Sequence, residues 1–173
     1  RGAKLIVVDP YVTAVASKAD LHLRPRPGTD GAMALGMINY IIQNDLHNKE
    51  FIAKYTHGFE DLEKLVKEWT LEKTEKVTGI PAEQLKKAAE MFATHESHLE
   101  CGYGHQRYSN GHQIQRALAC LSAVCGHIGK KTANYNFIES MGFPTVTGFA
   151  KGAKVAAPAS AELKSTRMIN IAT

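Results

Sequence analysis

The order of apolar and polar positions along the chain predicts short strands alternating with longer helices. A continuous apolar, β-branched run over residues 3–8 reads as a parallel strand covered on both faces, and Pro10 bars its continuation. Residues 13–19 offer a short turn of helix at most, and Leu21-His22-Leu23-Arg24 alternates as a second brief strand. Behind Thr29 and Asp30, each a strong N-cap residue, Ala32, Leu35, Ile38, Ile41 and Ile42 recur at helical spacing until about Asn44. Lys49 to Tyr55 forms the next helix, with Phe51, Ile52 and Tyr55 on one face, and His57-Gly58 breaks it. Residues 59–69 follow with Leu62, Leu65, Val66 and Trp69 directed inward. The cleanest pattern opens at Gly79-Ile80-Pro81-Ala82-Glu83, with proline in the first turn and Leu85, Ala88, Ala89, Met91 and Phe92 along one side. A strand at 98–101 then enters the glycine-containing stretch 102–111. The last long helix, 112–128, turns Ile114, Leu118, Leu121, Val124 and Cys125 inward and closes at Gly129. Beyond Lys130 the periodicity stops and loop is expected; no repeat or low-complexity tract interrupts the series.

Composition narrows the possibilities. The chain has 173 residues, 44% of them hydrophobic, enough for one ordinary core. No apolar run nears the ~20 residues of a membrane span. Its first residues run straight into a strand and its last stop inside an apolar run, so the expectation is an internal fragment of a longer chain. The formal net charge is +4. Lysines between Lys49 and Lys87 stand beside Glu63, Glu72 and Glu83, as on solvated helix faces, and basic residues are not interleaved with aromatics as nucleic-acid binding requires. The three cysteines, Cys101, Cys120 and Cys125, show no zinc spacing. Cys120 and Cys125 fit the buried side of a helix; Cys101, at a strand end, is open to core filling or to a reactive role.

Chemistry concentrates at two strand ends. Asp9 closes the first strand, where α/β proteins place groups that bind ribose or a base; it serves equally as a turn residue beside Pro10. In Arg26-Pro27-Gly28-Thr29-Asp30, glycine permits close approach, Thr29 offers a hydroxyl, and Asp30 can accept two N–H bonds from a guanine edge. The same residues cap a helix without any ligand, and both readings hold if Thr29 caps while Asp30 points outward. Gly102-Tyr103-Gly104-His105-Gln106-Arg107 matches G-x-G-x-x-G only loosely, because Arg107 replaces the third glycine. It is better suited to phosphate, combining exposed amides, a guanidinium and a following helix N-terminus. Arg116, deeper in that helix, reads as structural. The eight histidines form no HxxxH pair, no carboxylate completes a triad and there is no serine elbow, so no bond-making chemistry is assigned to these residues.

Taken in order, these segments resemble the molybdopterin oxidoreductase family, the dimethyl-sulfoxide-reductase-like group that includes formate dehydrogenases and periplasmic nitrate reductases. The resemblance is carried by Gly2-Ala3-Lys4-Leu5-Ile6-Val7-Val8-Asp9-Pro10, Ala19-Asp20, Arg26-Pro27-Gly28-Thr29-Asp30, Phe51-Ile52 and Tyr55-Thr56-His57-Gly58-Phe59. It continues through Gly79-Ile80-Pro81-Ala82-Glu83-Gln84-Leu85, the stretch 102–111, Arg116-Ala117 and Gly126-His127-Ile128-Gly129-Lys130, a collinear match over 2–130 that leans toward formate-dehydrogenase-like members. The chain departs from the family at Tyr11, where an arginine is usual, and at Lys131-Thr132-Ala133-Asn134, where a glycine-rich run is usual.

The resemblance implies an α/β, helix-rich fold: a Rossmann-like, partly parallel sheet with flanking helices, forming an incomplete domain of a larger protein. Residues 1–130 would be the nucleotide-binding domain and 131–173 a loop-rich lead into the rest of the catalytic subunit. The implied cofactor is bis(molybdopterin guanine dinucleotide) carrying molybdenum or tungsten. Asp9, Pro10, Tyr11 and Thr13 would line its nucleotide, and Gly28, Thr29 and Asp30 would hold guanine and ribose. Tyr103, Gly104, His105 and Arg107 would lie against pterin or phosphate. A 4Fe-4S cluster, the metal's protein ligand and a C-terminal barrel would lie outside these residues. Electron-transfer subunits are implied as partners. The competing expectation is a non-catalytic Rossmann-like nucleotide-binding or interaction module.

Overall fold

The computed structural model describes residues 2–137 and the short strand at 169–170. Strand β1 (Ile6–Val8) pairs in parallel with β2 (Leu21–Leu23), with Ile6 opposite Leu21. A single 3-10 turn at Ala16–Lys18 lies between them. Five helices follow: α1 (Asp30–Gln43), α2 (Lys49–Tyr55), α3 (Phe59–Val66), α4 (Leu71–Thr78) and α5 (Ala82–Ala93). Strand β3 (Thr56–His57) sits between α2 and α3. Then come β4 (Leu99–Cys101), α6 (Gly111–Val124), β5 (Tyr135–Phe137) and β6 (Ile169–Asn170). The class is α/β and helix-rich. Among the described residues the strands are all parallel but pair two at a time, β1 with β2, β3 with β6 and β4 with β5.

Helix α1 is the hub, packing against α3, α4, α5 and α6. Its apolar spacing puts Ala34, Ile38 and Ile41 out of solvent, where they meet Leu85 of α5 and Ile114 of α6 in one core. Each such side chain contributes about 1.5–3 kcal/mol when fully buried. A second tie is polar: Tyr40 on α1 donates its hydroxyl to Glu90 Oε1 on α5 at 2.7 Å. The Glu90 bond, helped by burial, pushes the Tyr40 phenol up to about 12.

Several expectations require correction. Strand β1 is shorter than 3–8, and β2 is its one paired neighbour among the described residues; Val8 stays 39% exposed, so the two-sided cover implied by its apolar run is not supplied here. Leu65 is exposed, because α3 ends at Val66 and only Leu62 and Val66 face the core. Helix α6 ends four residues before Ile128, at Val124, where Gly126 turns the chain with φ +70°. A Cβ there would stand 2.7 Å from Asn48 Nδ2. Beyond the two-residue strands β3 and β6, two larger elements are additional to those expected. Helix α4 hides its inward face behind threonines: Thr74 and Thr78 are fully buried and return their hydroxyl protons to Thr70 O (2.8 Å) and Thr74 O (2.7 Å). Strand β5 falls within the stretch expected as loop; its three residues are too few to show a period and are held by pairing with β4.

Candidate functional site

Two strand-to-helix corners position the candidate residues. The chain leaves β2 and reaches α1 through 24–29, and leaves β4 to reach α6 through 102–110. Each corner ends on a helix N-terminus, whose first amides have no partner within the helix and carry the positive end of its dipole. The corners are far apart in sequence and touch in space. Asn110 Nδ2 donates to Gly28 O at 3.2 Å, and the Tyr108 ring comes within 3.3 Å of the position a Cβ on Gly28 would take. With φ at +82° and an aromatic ring against it, position 28 has room for glycine alone. Just inside α1, a Cβ on Gly31 would lie 3.5 Å from Ile114 Cα, so the N-terminal turns of α1 and α6 lie side by side.

Asp30 is the first residue of α1 and is buried, so the outward orientation expected for it is not what the structure has. Its Oδ1 lies 3.6 Å from His105 Nε2, in the middle of the glycine loop. The capping expectation is also half corrected. Thr29 occupies the N-cap position, but its hydroxyl donates to Arg26 O at 2.6 Å instead of accepting from the helix. In the loop itself His105 starts a single 3-10 turn, Tyr103 is half-buried, and a Cβ on Gly102 or Gly104 would meet nothing within 4 Å. Arg107 is exposed and makes no ion pair among the described residues. A groove of about 650 Å³ runs beside this junction, lined by Gly28, Thr29, Asn110 and Arg116 on one side and by Leu65 and Trp69 on the other. Arg116, read as structural, thus faces open volume.

The Asp9–Thr13 cluster lies apart. Asp9 Oδ1 accepts the Tyr11 amide at 2.8 Å, closing a turn beside Pro10, and His22 Nε2 contacts the Asp9 carbonyl at 2.8 Å. Thr13 Oγ1 accepts the Ala16 amide at 3.1 Å, while Tyr11 is 76% exposed. Pro10 lines a second groove of about 570 Å³ with His22, Arg24 and Gly79. Among the described residues no hydrogen bond or ion pair joins Asp9, Pro10, Tyr11 or Thr13 to the 102–111 loop. The contacts thus join Gly28 and Asp30 to His105, Tyr108 and Asn110, while Asp9 is tied to the end of β2 through its amide, which donates to Leu23 O at 3.1 Å.

Sequence reading missed the residues that join the corners. Asn110 is legible only as the residue before a helix. Gln115 and Tyr135 carried no signal, yet Gln115 Nε2 lies 3.2 Å from His105 Nδ1 and Tyr135 donates to Gln115 Oε1 at 2.5 Å. Burial pushes the Cys101 thiol up to about 11, Cys120 to about 11 and Cys125 to about 12, so all three keep their protons and core filling is the role supported for Cys101. Among the described residues no group of three His, Cys, Asp or Glu is placed to hold a metal ion, and no helix is long and apolar enough to cross a membrane.

Comparison with known proteins adds an independent view. A family model described as molybdopterin oxidoreductase matches residues 1–172. Acetylene hydratase of Syntrophotalea acetylenica is 42% identical over 127 residues, covering 73% of this chain and 17% of that protein. Formate dehydrogenase H of Escherichia coli is 35% identical over 136 residues, 78% of this chain and 19% of that protein. The solved structure of acetylene hydratase from Pelobacter acetylenicus superposes with a TM-score of 0.73 at 41% identity, covering 76% of this chain and 18% of that one. The chain thus spans about a fifth of the length of these relatives.

Proposed function

The chain belongs to the molybdopterin oxidoreductase family, and from that premise we propose that it is the part of a molybdenum or tungsten oxidoreductase that holds the guanine-nucleotide end of bis(molybdopterin guanine dinucleotide). The observation that carries this is the junction at which Asn110 reaches Gly28 and His105 reaches Asp30. It unites two remote segments into one rim at the N-termini of α1 and α6, outside the carboxyl ends of β2 and β4. The relatives are named for different reactions, a hydration and a formate oxidation, yet each matches about three quarters of this chain. A role common to them is holding the cofactor and not choosing the substrate.

The donor set fits such a group. Asp30 Oδ1 lies toward His105, so its second carboxylate oxygen would accept from the N–H edge of guanine, and Gly28 allows the base or ribose to approach the backbone. Gly102 and Gly104 leave their amides sterically open, and Arg107 supplies a guanidinium for phosphate oxygens. Tyr103 offers a ring and hydroxyl toward the pterin. Asp9, Pro10, Tyr11 and Thr13 form the outer flank of the nucleotide, with Arg24 donating to Pro10 O at 3.4 Å beside them. When bound, the cofactor supplies two-electron redox chemistry at its metal. The residues described here bind and orient it. In this reading residues 1–130 are the nucleotide-binding part and 131–173 lead toward the rest of the catalytic subunit, with β5 in that second stretch pairing back onto β4. A 4Fe-4S cluster and electron-transfer subunits belong to that larger assembly.

The test is Asp30→Ala in the purified holoprotein, scored by GMP released on acid hydrolysis and by molybdenum or tungsten per chain. Loss of a charged hydrogen bond pair predicts at least about tenfold less retained nucleotide. Wild-type retention overturns the role of Asp30. The same assay separates a held cofactor from a freely exchanging nucleotide module, which would release its GMP on dialysis without hydrolysis.

A further inference from the structure

We infer that Gln115 and Tyr135 are positioning residues that fix the tautomer of His105, so that an Nε2–H faces the Asp30 carboxylate and keeps it aimed at its ligand. The inference rests on the proposed role of Asp30. Three side chains from three elements form one line. The Tyr135 hydroxyl on β5 donates to Gln115 Oε1 on α6 at 2.5 Å. That bond orients the amide, leaving Gln115 Nε2 as the group 3.2 Å from His105 Nδ1. An amide nitrogen can only donate, so Nδ1 must accept, and a neutral imidazole then carries its proton on Nε2. Nε2 is the atom 3.6 Å from Asp30 Oδ1.

The alternative tautomer would turn a lone pair toward a buried carboxylate, and two acceptors repel at that distance. The line therefore decides whether His105 supports Asp30 or displaces it. All four residues are buried or half-buried, so the bonds are not readily exchanged for water. The Cys101 thiol closes the far end against the Tyr135 hydroxyl, with its own proton retained. The hydrogen bonds of Gln115 and Tyr135 run to His105 and to each other, so their effect on Asp30 runs through His105.

The experiment is nitrogen-15 NMR of histidine-labelled holoprotein, the His105 signals being identified by their loss in His105→Gln. The expected wild-type pattern is a bare Nδ1 and a protonated Nε2; a protonated Nδ1 overturns the inference directly, with no ligand involved. Gln115→Glu keeps the shape and the acceptor for Tyr135 but presents an oxygen to Nδ1. It should bring a proton onto Nδ1, by tautomer exchange or as an imidazolium between two carboxylates, and so abolish the bare-Nδ1 signal. Tyr135→Phe frees the amide to turn over and should yield a mixture of both tautomers. An unchanged tautomer in both variants refutes positioning even if nucleotide is lost. Failure of Asp30→Ala to release nucleotide would refute the ligand role while leaving the tautomer result standing, so the two failures are told apart.

Discussion

The helical layer and the strand rim of this protein are built from equally apolar sequence and end in opposite states. In the layer, Ile38, Ile41, Leu85 and Val124 have no exposed surface. At the rim, Val12 and Val15 keep 63% and 58% of theirs, and Leu5 and Val8 are open beside them. The helices find their partners within the described residues because α1 offers a different side to each of α3, α4, α5 and α6. Strand β1 has one pairing neighbour there and a loop that runs outward. A contiguous apolar surface of this kind marks a place where something else packs. The helices carry the stability and the rim keeps apolar surface free for contact.

The largest expected effect is at the centre of the layer. Leu85→Ala removes a side chain with no exposed surface and leaves a cavity among Ala34, Ile38 and Ile80; it should cost about 2–5 kcal/mol, read as a lower urea midpoint at unchanged slope. A cost below about 0.5 kcal/mol would mean that the layer is not the stability core. Next is Gly36→Ala. Helix propensity alone makes this substitution favourable by about 1 kcal/mol. In the structure a Cβ would overlap the Thr74 hydroxyl and stand 2.8 Å from Thr74 Cβ and Cγ2, so destabilisation by about 1–3 kcal/mol is expected instead. Adding Thr74→Ala removes the Oγ1 and Cγ2 contacts and should recover part of it, the Cβ contact remaining. The sign decides whether the α1 backbone at Gly36 is packed against the Thr74 side chain of α4.

These two positions also show what could be read from residues alone. The apolar repeats of α1, α5 and α6 announce their helices because packing and periodicity agree. In α4 they disagree: the inward positions are Thr74 and Thr78, hydroxyls that satisfy themselves on their own helix, so the hydrophobic period is absent although the helix is buried. Three-residue strands such as β5 have no period to read. The site divides in the same way. Gly28-Thr29-Asp30 and the 102–107 loop are legible because a strand end, a glycine and a helix start are local. Their meeting is not, since Asn110 finds Gly28 across 82 positions and Gln115 finds His105 around a corner. Local chemistry was visible; convergence had to wait for the fold.

A smaller effect tests the layer by pH. His127 lies at the end of α6, its Nε2 donating to Phe92 O at 2.8 Å while Nδ1 is buried with no partner among the described residues. Burial, with Lys130 acting in the same direction, holds its pKa below the ordinary 6.5 despite the Phe92 bond. As pH falls below that value the unfolded chain takes up a proton that the folded one resists. The unfolded state then binds more protons, so stability should decline through this window. His127→Gln keeps a donor for Phe92 and should remove that part of the decline in urea midpoints measured from neutral pH downward. An equal decline in the variant would place the pH dependence elsewhere.

The least change is expected at the rim valines. Val12→Ser and Val15→Ser exchange a methyl-bearing surface for a hydroxyl at positions that meet mostly solvent in this structure. Each should shift the urea midpoint by less than about 0.5 kcal/mol equivalent if nothing covers the rim. If the rim is covered in the purified protein, the same substitutions remove buried apolar surface and should cost about 1.5 kcal/mol or more. Leu85→Ala cannot make this distinction, because its surroundings are complete either way. The rim valines respond only to what lies beyond the described residues, so a small structural change there reports on cover that the helical layer never needs.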